Sequence, residues 1–321
     1  MVKINQHSSS SSSISGNSAR ASTEQPKTDS VRSASRIIDS VKTLEGGGFA
    51  VNRLFPTKTV SDLDPFQLLD EMGPIDLAPG EAKGAPDHPH RGFEAVTYML
   101  EGKFEHKDSH GHSGTLSTGD VQWMTAGSGL IHREMPEKEF ERSGGMMHAF
   151  QLWVNLPKRD KMIKPRYQQI ASSKIPVATS TDGKVTAKVI AGEALGVQAA
   201  IETRTPIMYL HFTLKHRGEI LQSVPSQYNA FAYVIRGEGY FGKNYKPTQR
   251  GQAVIFSKDG DLVSIKNPSE KKSSPLDVLL IAGVPLNEPV ARYGPFVMNK
   301  PEEIVQAIED YRNGKMGRIN F

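Results

Sequence analysis

Cysteine is absent from all 321 residues. Disulfide scaffolding, thiolate nucleophiles and Cys-ligated zinc or iron–sulfur sites are therefore excluded, and any metal must be held by His, Asp or Glu. No apolar run approaches the roughly 18 residues needed to span a bilayer. The N-terminal MVKINQHSSSSSSISG also lacks the apolar centre of a secretory signal. Neither sign of charge dominates: 39 Lys and Arg against 35 Asp and Glu leave +4, and the basic residues form no long run. Direct nucleic-acid binding and membrane association are accordingly not expected, and a cytoplasmic or nuclear location is. At 37% hydrophobic and 23% charged, the chain reads as an ordinary globular protein long enough for about two domains.

Residues 1–35 are expected to form a solvated Ser-rich tail, because serine repeats bury nothing. With Lys3 and Arg20 and no acidic residue before Glu24, this segment also partly fits an organelle transit peptide. Ordered structure is expected from about Arg36. AVTYML (95–100), VQWM (121–124) and FQLWVNL (150–156) are short, rich in β-branched, aromatic and large apolar residues, and read as strands of an antiparallel fold. One helix is expected near the end, with Asn299 as cap, Pro301 in the first turn and Glu302 as capping-box partner. Its apolar stripe would be Ile304, Val305, Ile308 and Tyr311, and Gly314 would close it.

A weak internal repeat divides the chain. Residues 88–102 (HPHRGFEAVTYMLEG) align without a gap on 223–237 (SVPSQYNAFAYVIRG), and 119–134 on 251–266, with one hydrophobic rhythm in both. The expected architecture is all-β: two jelly-roll-like barrels in tandem, at 36–175 and 176–321, the second ending in the helix. The connector is placed within ASSKIPVATSTDG (171–183).

Seven of the ten histidines fall between His88 and His148. His88 and His90 are two apart, so on a strand both rings share a face, about 6.5 Å apart along the backbone. His132 and Glu134 repeat that spacing. Two neighbouring strands carrying these pairs would offer three nitrogens and a carboxylate to one first-row metal ion. The repeat sharpens this, because the positions aligned with the four are Ser223, Pro225, Ser264 and Lys266, none of them a suitable ligand. Glu94, four residues after His90, is a rival carboxylate that parity alone does not eliminate. His106, His110 and His112 lie in a loop-like stretch and are expected to be solvated, with gating or a second ion as the alternative. His148, His211 and His216 read as structural. Phe93, Trp123 and Met124 are candidates for an apolar wall, ordinary core packing being the competing reading.

The segments DPFQLLDE (64–71), HPHRGFEAVTYMLEG (88–102), GDVQWMTAGSGLIHRE (119–134), QLWVNLP (151–157) and EEIVQAIEDYRNGKMG (302–317) resemble the pirins, bicupin members of the cupin superfamily. The resemblance covers roughly residues 36–321 and is most specific in the first half; the Ser-rich tail has no counterpart in it. It implies two cupin barrels and a single iron ion, Fe(II) or Fe(III), in the first. The family's ligands fall on His88, His90, His132 and Glu134, which favours Glu134 over Glu94 and makes Glu134 the candidate catalytic proton acceptor. Two functions follow from the resemblance. One is oxygenolytic opening of a flavonol, as in quercetin 2,3-dioxygenases; the other is a non-enzymatic nuclear cofactor whose iron oxidation state governs binding to transcription regulators.

Overall fold

The computed structural model describes residues 30–320; the first 29 residues of the expected Ser-rich tail, where a transit peptide would sit, lie outside them. The architecture is all-β with a short C-terminal helix. Each half pairs a seven-stranded sheet with a four-stranded one. In the first half, the large sheet runs in the order Arg166–Ile170, Val121–Thr125, Phe93–Glu101, Gly145–Asn155, Phe66–Leu77, Phe49–Phe55, Val41–Glu45. The small sheet runs Ala85–His90, Leu130–Pro136, Phe104–Asp108, Ser113–Leu116. The second half repeats the plan strand for strand. Its large sheet is Ala34–Asp39, Gln252–Phe256, Asn229–Arg236, Leu276–Gly283, Ile207–Leu214, Val185–Ala191, Val177–Thr179, and its small sheet is Glu219–Ser223, Leu262–Lys266, Glu238–Phe241, Lys246–Gln249. The duplication read from the hydrophobic rhythm is thus a duplication of topology.

Ladder register corrects the gapless alignment in one strand. Leu130 stands opposite His90 and His132 opposite His88, whereas Leu262 stands opposite Ser223 and Ser264 opposite Leu221. Leu221 and Ser223, two residues earlier than aligned, therefore pair as His88 and His90 do, but both are exposed, and the face turned into the second core carries Ile220, Val263 and Ile265. A longer connection after Ser223 absorbs the slip, and the second barrel still offers no ligand there.

The two large sheets pack face to face. Strands alternate their side chains between faces, and the inner faces meet in one dry core containing Phe55, Phe66, Tyr98, Trp123 and Phe150 from the first half with Tyr209, Phe231, Tyr233 and Ile281 from the second. Phe231 meets Phe55 and Phe66 edge to face, at 5.6 and 5.7 Å between ring centroids. Some polar groups in this interface are paired there. Tyr233 donates to Glu71 at 2.7 Å, and His148 holds the other Glu71 oxygen at 2.9 Å. Tyr98 meets His211 at 2.9 Å.

The chain ends are exchanged between the halves. Order begins earlier than expected: Ala34–Asp39 pairs with Gln252–Phe256 and completes the second sheet, not the first. Just before it, the fully buried Arg32 donates to the carbonyls of Gly260, Tyr228, Val224 and Pro225. Residues 30–35 are therefore structural elements of the second barrel and not part of a solvated tail. Conversely, the hairpin Ala291–Tyr293 and Phe296–Met298 and the helix Pro301–Arg312 return to the first barrel. Arg91 pairs with Asp310 at 2.9 Å and donates to the Ser128 carbonyl at 2.7 Å. The closest approach is at Gly92, whose φ is +87° and where a Cβ would sit 2.0 Å from the Val297 carbonyl oxygen, so only glycine fits.

The helix differs from expectation in detail. Its cap is Lys300 and the capping-box partner is Glu303, which accepts from the backbone N–H groups of Asn299 and Lys300 at 2.9 and 3.0 Å. Ile304 and Ala307 form the buried face, while Val305 and Tyr311 are exposed. The helix rotates to bury Asp310 against Arg91, a tertiary demand that an apolar stripe alone does not reveal.

Because Arg32 donates from its side chain to four second-barrel carbonyls, Arg32→Met should destabilise the protein by about 3 kcal/mol through buried acceptors that lose this donor. Urea unfolding checks this. A midpoint unchanged from wild type would show that the segment is merely draped on the barrel.

Candidate metal centre

The strand pairing expected of the histidines is present. His88 and His90 lie on Ala85–His90, His132 lies opposite His88 on Leu130–Pro136, and the residues next to them, Asp87 and Arg133, pair at 2.7 Å on the other face. The ring nitrogens of His88, His90 and His132 gather within 4.8 Å of one another. His90 and His132 are buried and His88 is half-buried.

Hydrogen bonding fixes which nitrogens are free. His88 Nδ1 lies 2.7 Å from the Pro86 carbonyl and His90 Nδ1 3.4 Å from that of Pro295, so each Nδ1 carries the proton. The two Nε2 lone pairs then face each other at 3.1 Å. Neither nitrogen of His132 has a hydrogen-bond partner among the described residues, although the residue is 1% exposed. Buried polar atoms are rarely left so. Burial, and next the neighbouring His88, hold His90 and His132 well below the ordinary histidine pKa, so both rings are neutral and able to ligate. Converging lone pairs, an orphaned neutral imidazole and the absence of any thiolate fit a borderline first-row cation.

Glu134 lines the same cavity as His88 and His90 but stands outside the three-histidine group. Its Oε1 accepts from Thr97 at 2.9 Å and its Oε2 from Gln151 at 3.2 Å. Thr97 and Gln151 face each other on adjacent strands, each a polar residue on a buried apolar strand. That interruption was the signal available in the sequence for both. The row continues through Asp70, opposite Gln151, to Arg53, which binds both Asp70 oxygens at 2.8 and 2.6 Å.

Glu94 is removed from contention by the turn at Gly92. After it, Phe93, Ala95 and Thr97 face the histidines, while Glu94 shares a parity with Val96 and Tyr98 in the inter-barrel core. There it accepts from Thr125 at 2.6 Å, and burial raises its pKa. His106 is also reassigned. It is buried on Phe104–Asp108, stacked on Tyr167 at 5.3 Å and bonded to Gln169, whereas His110 and His112 are exposed.

His88 and His90, with His132 packed against them, open onto a cavity of about 730 Å3. Its apolar wall is Phe49, Val51, Leu68, Met72, Phe104 and Trp153, not the expected Phe93, Trp123 and Met124, which are buried behind it as core. Phe93 does support the site from below, 5.0 Å from His90 and stacked on Trp153 at 4.2 Å. Arg292, from the returning C-terminal hairpin, lies over the Trp153 ring at 5.0 Å. Its contribution was invisible in the sequence, 139 positions away from Trp153.

Known proteins are similar over both halves. The Pirin family model matches residues 48–154 and that of the Pirin C-terminal cupin domain matches 209–317. A pirin-like protein from Solanum lycopersicum is 47% identical over 273 residues, 85% of this chain and 89% of its own length. Human pirin is 45% identical over 277 residues, covering 85% of this chain and 90% of its own. A solved quercetin 2,3-dioxygenase from Acinetobacter baumannii superposes with a TM-score of 0.84 at 35% identity, covering 91% of this chain and all of that one.

The depressed pKa values of His90 and His132 set a pH dependence. Unfolding lets both rings take protons below about pH 6.5 that the folded state refuses. Stability of metal-free protein is therefore full above that pH and falls below it, with a slope approaching about 3 kcal/mol per pH unit from the pair. His132→Phe should remove about half of this slope in urea titrations between pH 7 and 5. A slope the same in both proteins would contradict the assignment. The duplicated cupin halves, the histidine-bearing first half and the matches along both identify the chain as a member of the pirin family.

Proposed function

We propose that the chain is an iron-dependent flavonol dioxygenase, with the ion held by His88, His90, His132 and Glu134. The observation that carries this reading is the convergence of three imidazoles beside an apolar-walled cavity that also presents a buried carboxylate. Similarity to the Acinetobacter quercetin 2,3-dioxygenase supports the reaction class. Bound iron supplies Lewis acidity toward the substrate's 3-hydroxyl and 4-carbonyl oxygens and a route for electrons to dioxygen.

The protein's own groups would do the remaining work. Phe49, Val51, Leu68, Phe104 and Trp153 receive the flat aromatic body and exclude water from the reacting end. Glu134, released from Thr97 or Gln151, ligates or accepts the 3-hydroxyl proton, and the vacated donor then steadies it. The Pro86 and Pro295 carbonyls hold the His88 and His90 tautomers with Nε2 turned inward. The net reaction adds dioxygen across the heterocycle and releases carbon monoxide, leaving an ester of two phenolic acids.

Iron-loaded protein should consume quercetin and dioxygen in equal amounts with release of carbon monoxide. His132→Ala should abolish turnover, and Glu134→Gln should lower kcat by about 10²–10⁴-fold. Loaded wild type that leaves quercetin untouched, or a His132→Ala variant as active as wild type, would overturn the proposal. The first of these outcomes would favour the non-enzymatic alternative, in which a protein partner reads the oxidation state of the ion.

A further inference from the structure

A second cavity, of about 880 Å3, opens where the chain crosses from the second sheet to the first at Ser40. It belongs to both halves: Lys42, Asn52 and Met72 come from the first barrel's strands, and Arg250 and Gly251 from the second. Phe49, Val51 and Met72 line this cavity and the histidine cavity alike, and so form the partition between them. Ligand sites of roughly 300–1,000 Å3 at domain interfaces, apolar with a few placed polar groups, are the common form of a small-molecule pocket.

The lining has a distinct chemistry. Val51, Met72, Ile75, Leu77 and Met147 make it aliphatic and thioether-rich, a surface that adapts to a flexible chain better than to a flat ring. Ile75 is 49% exposed, an apolar side chain with no cover from its own barrel. Around the opening stand Lys42, Lys83 and Arg250, all exposed and none in an ion pair among the described residues. Of the two carboxylates nearby, Glu71 is buried and engaged, and Glu81 is exposed with one backbone hydrogen bond. Glu71 is 2% exposed and accepts from His148, Tyr233 and Asn52, and Glu81 accepts from the Ala78 N–H at 2.8 Å. What is left to face a ligand is an apolar body and three unpaired positive charges against the single exposed carboxylate of Glu81.

We propose that this inter-barrel cleft is a second binding site, separate from the histidine cavity, for an aliphatic carboxylate of medium chain length. The alkyl chain lies on Val51, Met72, Ile75, Leu77 and Met147, and the head group meets Lys42, Lys83 and Arg250. A carboxylate suits these cations because the attraction needs no buried ion and leaves the head at the solvent edge.

Calorimetry with dodecanoate below its micellar concentration tests the proposal at low salt. Wild type should bind about one equivalent. The triple variant Lys42→Glu/Lys83→Glu/Arg250→Glu, altered only at exposed positions, should bind at least about tenfold more weakly. Dodecyltrimethylammonium should bind the two proteins in the reverse order. His132→Ala should bind dodecanoate as wild type does, which separates this site from the histidine cavity. No saturable binding to wild type, equal affinity in the charge-reversed protein, or loss of binding in His132→Ala would each overturn it.

Discussion

The histidine site depends on one register. His132 stands opposite His88 because Leu130–Pro136 pairs with Ala85–His90 as it does, with Asp87 and Arg133 clasped on the outer face. Side chains alternate with a period of two, so a slip of one residue would turn His132 out of the cavity and bring Arg133 in. The second barrel shows the same ladder serving another end. There, the core-facing residues of the paired strands are Ile220, Val263 and Ile265, and the strands simply close a core.

That register is held by segments remote in sequence. Had the halves been independent, the first barrel would supply its own walls and the second its own edge strand. Instead, each takes a terminal segment from the other end of the chain: Ala34–Asp39 completes the second sheet, and the 291–312 region seals the first barrel. The returning hairpin supplies Pro295 to His90 and Arg292 to Trp153, while its Val297 carbonyl accepts from the buried Lys161 at 2.8 Å. The histidine pocket is therefore a product of segments far apart among the described residues, although its histidines come from residues 88–132. The shared core between the large sheets makes the two halves one packing unit.

Much of this was legible beforehand, for identifiable reasons. Short runs rich in β-branched, aromatic and large apolar residues marked the strands at 95–100, 121–124 and 150–156, and the i, i+2 spacing of His88 and His90 marked the site, because both are local consequences of strand geometry. Gapless alignment exposed the duplicated plan but slipped by two at Leu221 and Ser223, where only hydrogen-bond register distinguishes neighbouring positions. Glu94 remained a rival because parity counting assumes a straight strand, and the turn at Gly92 breaks that assumption. Phe93, Trp123 and Met124 have the composition of a wall, but which face of a buried strand meets a cavity is decided by tertiary packing. The exchange of chain ends left no local trace in the sequence, and neither did the contribution of Arg292.

Elemental analysis of protein purified without added metal tests the central claim most directly. The wild-type chain should carry about one iron ion, and a folded His88→Ala/His132→Ala variant should carry none. A metal-free wild type, or a double variant that keeps its iron, would contradict the account.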